Sequence, residues 1–216
     1  MPKVSLDTFT IGAKSGARLV SFPTDTVPAL AARPDQAERL FVLKQRSLDK
    51  PLILMAATID DLWPYLSGTP VEQSIWRSVA DRYWPGPLTL VLSASDRLPS
   101  MINPTQTGSV GVRIPNHPIA LHILTQTGPL ATTSANRSGF PALQTMAEIE
   151  AQFPTVLTLS DTALVNIQSA WTSGLIKGCV HSDSWAPPTS GIPSTIAKWT
   201  GKKWEILRQG TIQLET

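Results

Sequence analysis

Two hydroxyl-rich stretches and a tight cluster of cations are the parts of this 216-residue chain best suited to do chemistry. The first stretch is Pro23-Thr24-Asp25-Thr26, the cluster consists of Lys44, Arg46 and Lys50, and the second stretch is Thr132-Thr133-Ser134-Ala135-Asn136. Positive charges so close together can neutralise a polyphosphate. Hydroxyl and amide groups can hold the polar ends of a second small substrate. The combination predicts a nucleotide-using enzyme that binds its substrates by a clamp of charges.

The overall composition makes that cluster more informative. Charged residues form 16% of the chain, against an average of about 25% in globular proteins. The formal net charge is +2, which does not indicate a general polyanion-binding surface. The hydrophobic content of 42% suits a globular protein, and the length suits one substantial core. We predict a single domain over residues 1–216.

Several classes of site and location are disfavoured by the sequence. One cysteine, Cys179, allows neither an internal disulfide nor a cysteine-based zinc site. His117, His122 and His181 lack a metal-ligand spacing, so we expect structural histidines and no protein metal site. No apolar stretch approaches the roughly 20 residues that span a bilayer, and the N-terminus lacks a signal-peptide apolar region. We therefore predict a cytoplasmic protein without membrane contact.

The hydrophobic pattern predicts elements that would position the polar stretches. A strand over residues 18–22 ends at Pro23, which leaves Thr24–Thr26 in a loop. Asp35 and Glu38 have the spacing of a capping box, which predicts a helix ending at Lys44 and Arg46. Further strands are predicted over residues 51–55, 88–92, 110–114, 129–132 and 156–159.

The remaining pattern predicts helices and a hairpin. Thr69 and Thr145 are expected to cap helices, the first with an apolar face of Val71, Ile75 and Val79, and a third helix is expected over 119–126. Residues 194–199 and 203–207 read as a hairpin around Gly201, and 167–188 stay unassigned. Strands and helices interleave without a regular βαβ period, which favours a mixed sheet.

Common nucleotide and hydrolase motifs are absent from the sequence. The chain has no P-loop, no Gly-x-Gly-x-x-Gly dinucleotide fingerprint and no Gly-x-Ser-x-Gly nucleophile elbow. Its cations, hydroxyls and amide suit substrate positioning and electrostatic stabilisation better than nucleophilic catalysis. Phosphoryl chemistry can run largely on those two effects.

Seven motifs, in order, resemble the YrdC/Sua5 family. They run from about residue 8 to residue 212, and all seven together are far more specific than any one of them. The motifs are Pro23-Thr24-Asp25-Thr26-Val27, Lys44-x-Arg46-x-x-x-Lys50-Pro51-Leu52, Trp84-Pro85-Gly86-Pro87-Leu88-Thr89, Val112-Arg113-Ile114-Pro115, Thr133-Ser134-Ala135-Asn136-x-Ser138-Gly139, Pro193-Ser194-Thr195-Ile196 and Ile206-Leu207-Arg208-Gln209-Gly210.

The resemblance implies a fold and an activity. The fold is a twisted, mostly open mixed α/β sheet with helices and a concave, positively charged cavity. The activity is the synthesis of threonylcarbamoyl-AMP and pyrophosphate from L-threonine, bicarbonate and ATP, with Mg²⁺ accompanying the ATP. A separate tRNA threonylcarbamoyl transferase would use the product for the N6-threonylcarbamoyladenosine (t6A) modification of tRNA. The resemblance is to the short, single-domain form of the family.

Residue roles follow from the resemblance, position by position. Lys44, Arg46 and Lys50 would form the catalytic clamp. The ATP-binding set implied is Arg46, Lys50, Ser109, Ser134, Asn136 and Arg208. The threonine-binding set implied is Thr26, Arg113, Thr132 and Ser194, with Arg113 on the substrate carboxylate.

Two alternatives stay open, one from departures from the family pattern and one from the basic face that the resemblance implies. Pro28-Ala29 stands where the family usually has Tyr-Gly, and Lys198 ends a motif that usually closes with aspartate. One alternative is a diverged paralogue that binds nucleotide without adenylating threonine. The other is an RNA-binding module whose concave basic face contacts double-stranded RNA or tRNA. The segment 167–190 precedes Ser194 in the chain and is a candidate lid.

Overall fold

A computed structural model describes residues 3–174 and 190–214. Cys179, His181 and most of the candidate lid at 167–190 lie outside the described residues. The strands are β1 (Lys3–Val4), β2 (Val20–Phe22), β3 (Ala29–Ala32), β4 (Ile53–Met55), β5 (Leu88–Ser93), β6 (Ser109–Arg113), β7 (Leu130–Ser134), β8 (Thr158–Leu159), β9 (Thr195–Trp199) and β10 (Trp204–Arg208). The helices are α1 (Leu6–Ser15), α2 (Glu38–Lys44), α3 (Ile59–Leu62), α4 (Pro70–Tyr83), α5 (Pro118–Thr127), α6 (Met146–Gln152) and α7 (Asp161–Thr172).

An eight-stranded open sheet forms the centre of the fold, in the order β10-β9-β5-β6-β4-β7-β3-β2. The β4–β6 and β5–β9 pairs are parallel and the other neighbours are antiparallel, so the predicted mixed sheet is confirmed. β1 and β8 form a separate parallel pair. This strand order brings distant parts of the sequence close together, since Arg113 on β6 and the stretch that ends β7 are separated only by β4.

Local capping chemistry explains where several helices begin. Thr69 Oγ1 accepts a hydrogen bond from the Glu72 N–H, and the Glu72 carboxylate accepts one from the Thr69 N–H. Pro70 occupies the first turn of α4. Thr145 and Glu148 cap α6 in the same reciprocal way. Both predicted capping boxes are confirmed, since each needs only residues three apart in the chain.

Three predictions from the sequence are corrected by the structure. Asp35 does not cap α2, because its two carboxylate oxygens accept from Arg33 Nε and Nη2 at 2.6 and 2.8 Å. Val71 is exposed, and α4 instead buries Trp76 and Ala80. The segment 167–188, for which the sequence predicted no structure, begins inside α7, a helix that the hydrophobic pattern did not indicate.

Alternation along the strands gives the sheet one face for the larger hydrophobic cluster and an opposite face for a cavity, beside which a second hydrophobic cluster packs on β2, β3, β4 and β7. In β5, Leu88, Leu90 and Leu92 are fully buried in the core. Thr89 and Val91 point the other way and line the cavity. This is the two-residue period of a strand, and it continues in the neighbouring strands. Within the described residues, no helix is both long and apolar enough to cross a bilayer.

Candidate active site

A cavity of about 400 Å³ lies on one face of the sheet. Seven of the eight strands contribute side chains to it, all except β2 at the edge. Gly111 lies at the centre of its floor, in register with Val91 on one side and Ile53 on the other. A Cβ added at Gly111 would stand 3.3 Å from Ile53 and 3.4 Å from Thr89, so the missing side chain keeps the floor open.

The charge of the cavity wall is entirely positive. Arg46, Arg113, Lys198 and Arg208 line it, and no carboxylate is among the lining residues that the structure describes. Hydroxyl groups of threonine and serine residues alternate with these cations around the wall. Arg46, Lys198 and Arg208 form no ion pair with a described carboxylate, which favours an anionic ligand. The hydroxyls can accept from or donate to its polar groups.

Arg113 is held in place by three different parts of the chain. Its Nε donates to the Gly86 carbonyl at 3.0 Å, and its Nη1 donates to Thr26 Oγ1 at 2.8 Å. Its Nη2 forms an ion pair with the Asp25 carboxylate. A guanidinium carries five N–H donors, so two donors remain for a ligand. Burial lowers the pKa of Arg113, and the neighbouring Asp25 opposes that shift.

The Trp-Pro-Gly-Pro motif contains Gly86, whose carbonyl accepts the hydrogen bond from Arg113 Nε. The Trp84–Pro85 peptide bond is cis, and Gly86 follows it with its N–H bonded to Ile114 at 2.9 Å. A Cβ at Gly86 would approach the Tyr83 carbonyl to 2.3 Å, which no side chain tolerates. Glycine is therefore required here by a close backbone approach rather than by flexibility.

Arg46 and Lys50 differ in position although they belong to one predicted clamp. Arg46 lines the cavity, with Nε and Nη2 donating to the Lys50 and Pro51 carbonyls at 2.8 and 3.0 Å. Lys50 is exposed and is not among the lining residues. Burial lowers the pKa of Arg46, an effect that Asp49 opposes. The guanidinium is fixed on one edge and keeps its remaining donors for a ligand.

Lys44 is buried behind the wall rather than in it. Its ammonium donates to Thr133 Oγ1 at 3.1 Å, to the Ser134 carbonyl and to Asn136 Oδ1 at 3.3 Å. Burial, reinforced by the charge of Arg46, lowers its pKa from 10.5 to about 7. Lys44 thus ties the end of α2 to the end of β7. The predicted catalytic role of Lys44, beside Arg46 and Lys50, stays a prediction.

The low pKa of Lys44 predicts how stability changes with pH. Between about pH 7 and 10.5 the unfolded chain binds the proton that the folded protein releases, so the stability of the native protein rises with pH in that window. Relative to Lys44→Met, we expect the native free energy of unfolding to rise by at most about 1.4 kcal/mol per pH unit. Denaturant unfolding at pH 7, 8 and 9 measures this difference. Lys50→Met, at an exposed position of the same cluster, is the control, and a pH-independent difference for Lys44→Met would contradict the burial argument.

The second polar stretch forms a turn around Asn136. Ser134 Oγ donates to Asn136 Oδ1 at 2.6 Å, and the Asn136 amide donates to the Arg137 and Phe140 carbonyls. Ser134 lines the cavity, whereas Asn136 is not among the lining residues. Asn136 therefore fixes the direction of the Ser134 hydroxyl, together with Lys44.

A second polar group lies on the opposite side of the cavity, at the start of β9. Ser194 is buried, and its Oγ lies 2.8 Å from Thr89 Oγ1. Arg208 donates to the Ser194 carbonyl through Nε and Nη2, at 3.0 and 2.8 Å. Burial lowers the pKa of Arg208, and the charge of Arg113 lowers it further. These two hydrogen bonds to the Ser194 carbonyl fix the orientation of the Arg208 guanidinium at the cavity wall.

Eight of the eleven predicted site residues line this one cavity, although they come from six separate stretches of sequence. They are Thr26, Arg46, Ser109, Arg113, Thr132, Ser134, Ser194 and Arg208. Lys44, Lys50 and Asn136 are not among the lining residues. Sequence reasoning gave no role to Thr89, Gly111 or Lys198, which also line it. Strand alternation was a signal for two of them, because Gly111 lies two residues from both Ser109 and Arg113, and Lys198 lies four residues after Ser194.

Pro28 and Ala29 are accommodated at the start of β3. Both line the cavity, and the Pro28 carbonyl accepts from the Ala135 N–H at 3.0 Å. Proline lacks an N–H, but the position just before a strand does not need one for hydrogen bonding to a neighbouring strand, so proline can occupy it. The substitution therefore changes the shape of the wall beside Thr26 while β3 keeps its pairing with β7.

The two described histidines have different surroundings. His117 is buried, and burial lowers its pKa to about 4 against the opposing charge of Asp25. His122 Nε2 lies 2.8 Å from the Gln126 amide nitrogen. In the part of the chain that the structure describes, no group of three potential metal ligands comes together.

The fold and the cavity define an α/β protein with an electropositive binding site. A family model for Sua5, YciO and YrdC proteins, described as "Telomere recombination", matches residues 14–170. The chain belongs to this family. A threonylcarbamoyl-AMP synthase of Escherichia coli O1:K1 is 37% identical over 140 residues, which cover 63% of this chain and 73% of that protein.

Solved structures agree with this assignment. Sua5 from P. abyssi, in a crystal structure complexed with L-threonine, is 28% identical with a TM-score of 0.74. The match covers 96% of this chain and 55% of the Sua5 chain, so the present chain spans little more than half of that protein. YciO of E. coli has a TM-score of 0.72 at 18% identity, over 95% of this chain and 89% of its own, and supports the fold alone.

Proposed function

We propose that the protein is an L-threonylcarbamoyladenylate synthase, a nucleotidyltransferase that uses ATP, L-threonine and bicarbonate. The observation that carries the proposal is one cavity whose described lining residues include four cations and several hydroxyl groups but no carboxylate. Such a wall suits two anionic substrates held side by side. The synthase relative and the threonine complex of Sua5 name the same substrate chemistry.

The proposed reaction has two steps, the formation of a carbamate and the transfer of AMP to it. The amine of threonine takes up bicarbonate with loss of water and becomes a carbamate. A carbamate oxygen then attacks the α-phosphorus of ATP, the bond to the β-phosphate oxygen breaks, and pyrophosphate leaves. The protein need not supply a covalent nucleophile, since positioning and charge stabilisation can carry such a transfer.

Arg113 is best placed for the carboxylate of threonine. Its planar guanidinium suits a carboxylate, and Asp25, Thr26 and Gly86 fix its orientation before a ligand arrives. The Thr26, Thr132 and Ser194 hydroxyls line the same cavity and can contact the remaining polar groups of the amino acid. A preorganised site of this kind loses little orientation entropy on binding.

Two of the other cations, Arg46 and Arg208, are assigned to the nucleotide. Arg46 lines the cavity where its fixed edge leaves free donors, and Ser109, Ser134 and Arg208 also reach it. Lys50 is exposed beside this end and would approach the phosphates from solvent. Asn136 would act through Ser134. Because none of the described lining residues is a carboxylate, Mg²⁺ would enter on the phosphates of ATP as part of the substrate.

The product is a reactive mixed anhydride, which implies a consumer. A separate tRNA threonylcarbamoyl transferase would use it for the t6A modification of tRNA, in the cytoplasm. Direct contact with tRNA or double-stranded RNA stays a prediction, and a binding constant that falls steeply with salt would support it.

The proposal is tested by omitting one substrate at a time. Pyrophosphate release from ATP is expected to require both L-threonine and bicarbonate, and to fall to background when either is left out. L-serine, which lacks the methyl group, is a matched probe of the amino acid site. Pyrophosphate release that ignores threonine would overturn the synthase and favour the nucleotide-binding paralogue instead.

A further inference from the structure

Lys198 is a half-buried cation on the wall of the cavity that has no assigned role. It lies in β9 in register with Val91, whose neighbour across β6 is Gly111. Alternation places Lys198 on the same face as Ser194 and Ile196, and all three line the cavity. Its ammonium therefore belongs to the cavity and not to the outer face of the sheet.

The ordinary explanation for such a lysine is a cross-strand ion pair, and the structure does not support it. Glu205 stands directly opposite Lys198 on β10. Glu205 is exposed, and the ion pairs found among the described residues do not include Lys198 with Glu205. No hydrogen bond from the Lys198 ammonium to another described residue is found either. A lysine on the cavity wall without a counter-charge among the described residues favours an anion supplied by a ligand.

The sheet register places Lys198 across the floor from Arg46. Lys198, Val91, Gly111 and Ile53 are neighbours on four successive strands, which separates the first from the last by about 14 Å. Arg46 is anchored to the Lys50 and Pro51 carbonyls just before β4 begins. The two cations thus extend from opposite walls over a floor that glycine leaves flat.

We infer that Lys198 is a further nucleotide-binding residue, which grips the β- and γ-phosphates of ATP from the wall opposite Arg46. The inference rests on the proposed function for the identity of the nucleotide. A polyphosphate spread over the floor can meet cations from both sides, whereas a single phosphate reaches fewer of them. The chemical class recognised is therefore a nucleoside triphosphate or pyrophosphate rather than a nucleoside monophosphate.

Calorimetric binding of ATP, AMP and pyrophosphate to Lys198→Met tests the assignment. We expect ATP and pyrophosphate to bind about tenfold more weakly or worse, and AMP to bind within about twofold of the native protein. The salt dependence of ATP binding should also become shallower, since one charge fewer meets the phosphates. Lys202→Met, on the exposed turn after β9, makes the same charge change outside the cavity and should leave all three ligands unaffected.

The possible outcomes separate this inference from the proposed function. Equal losses for ATP and AMP, or no loss for either, would overturn the role of Lys198 in gripping the terminal phosphates. Threonine-dependent pyrophosphate release by the native protein would still stand in that case. Conversely, a selective loss of ATP binding in a protein whose turnover ignores threonine would keep Lys198 and discard the synthase.

Discussion

Arg113→Ala is expected to abolish threonine-dependent pyrophosphate release and to lower the free energy of unfolding by about 3–5 kcal/mol. The stability loss arises because Asp25 would remain a largely buried carboxylate without its cation. The activity loss arises because the guanidinium is the group best placed for the substrate carboxylate. Urea unfolding and a pyrophosphate assay at saturating ATP measure the two effects.

Removing both partners separates these two effects of Arg113. Asp25→Ala combined with Arg113→Ala leaves no unpaired buried charge, so part of the lost stability should return while activity stays absent. Arg113→Lys keeps a charge but loses the fork of donors, and it should bind threonine poorly. A stable double variant with native threonine affinity would show that Arg113 serves the fold alone.

Gly111→Val is expected to weaken ATP binding by about 100-fold or more, close to 2.7 kcal/mol, with little change in melting temperature. The side chain would point into the cavity at the centre of its floor, where an added Cβ already stands 3.3 Å from Ile53. Valine suits a strand, so the sheet itself should tolerate the change. Isothermal titration with ATP, beside a thermal melt, gives both quantities.

A graded series makes the test of Gly111 stricter. Gly111→Ala adds one carbon and should weaken ATP binding less than valine does. Val91→Ala, beside Gly111 on the same floor, enlarges the cavity and should not reproduce the loss. A folded Gly111→Val protein that binds ATP normally would place the nucleotide somewhere other than this floor.

Features decided by residues close in sequence could be predicted without the structure. The Thr69 and Thr145 capping boxes need partners three residues away, and both formed as expected. Asp35 has the same spacing to Glu38, but Arg33 donates two charge-assisted hydrogen bonds to the Asp35 carboxylate. The carboxylate is therefore not used to cap the helix. A local pattern therefore fails when a stronger partner lies just outside it.

Features that depend on distant contacts were beyond the sequence. The ion pair of Arg113 with Asp25 joins residues 88 apart, and the bond from Lys44 to Thr133 joins residues 89 apart. Composition could indicate a charge clamp, but it could not show that Lys44 supports the wall from behind. Lys198 was visible as a departure from the family pattern, and only the strand register showed that it faces the cavity.

The central claim is that one cavity joins threonine, bicarbonate and ATP into a single product. The most direct measurement follows isotope from ¹³C-bicarbonate by mass spectrometry after incubation with ATP and L-threonine. We predict a labelled species with the mass of threonylcarbamoyl-AMP, formed together with pyrophosphate and absent in Arg113→Ala. AMP and pyrophosphate formed without a labelled threonine adduct would contradict the account.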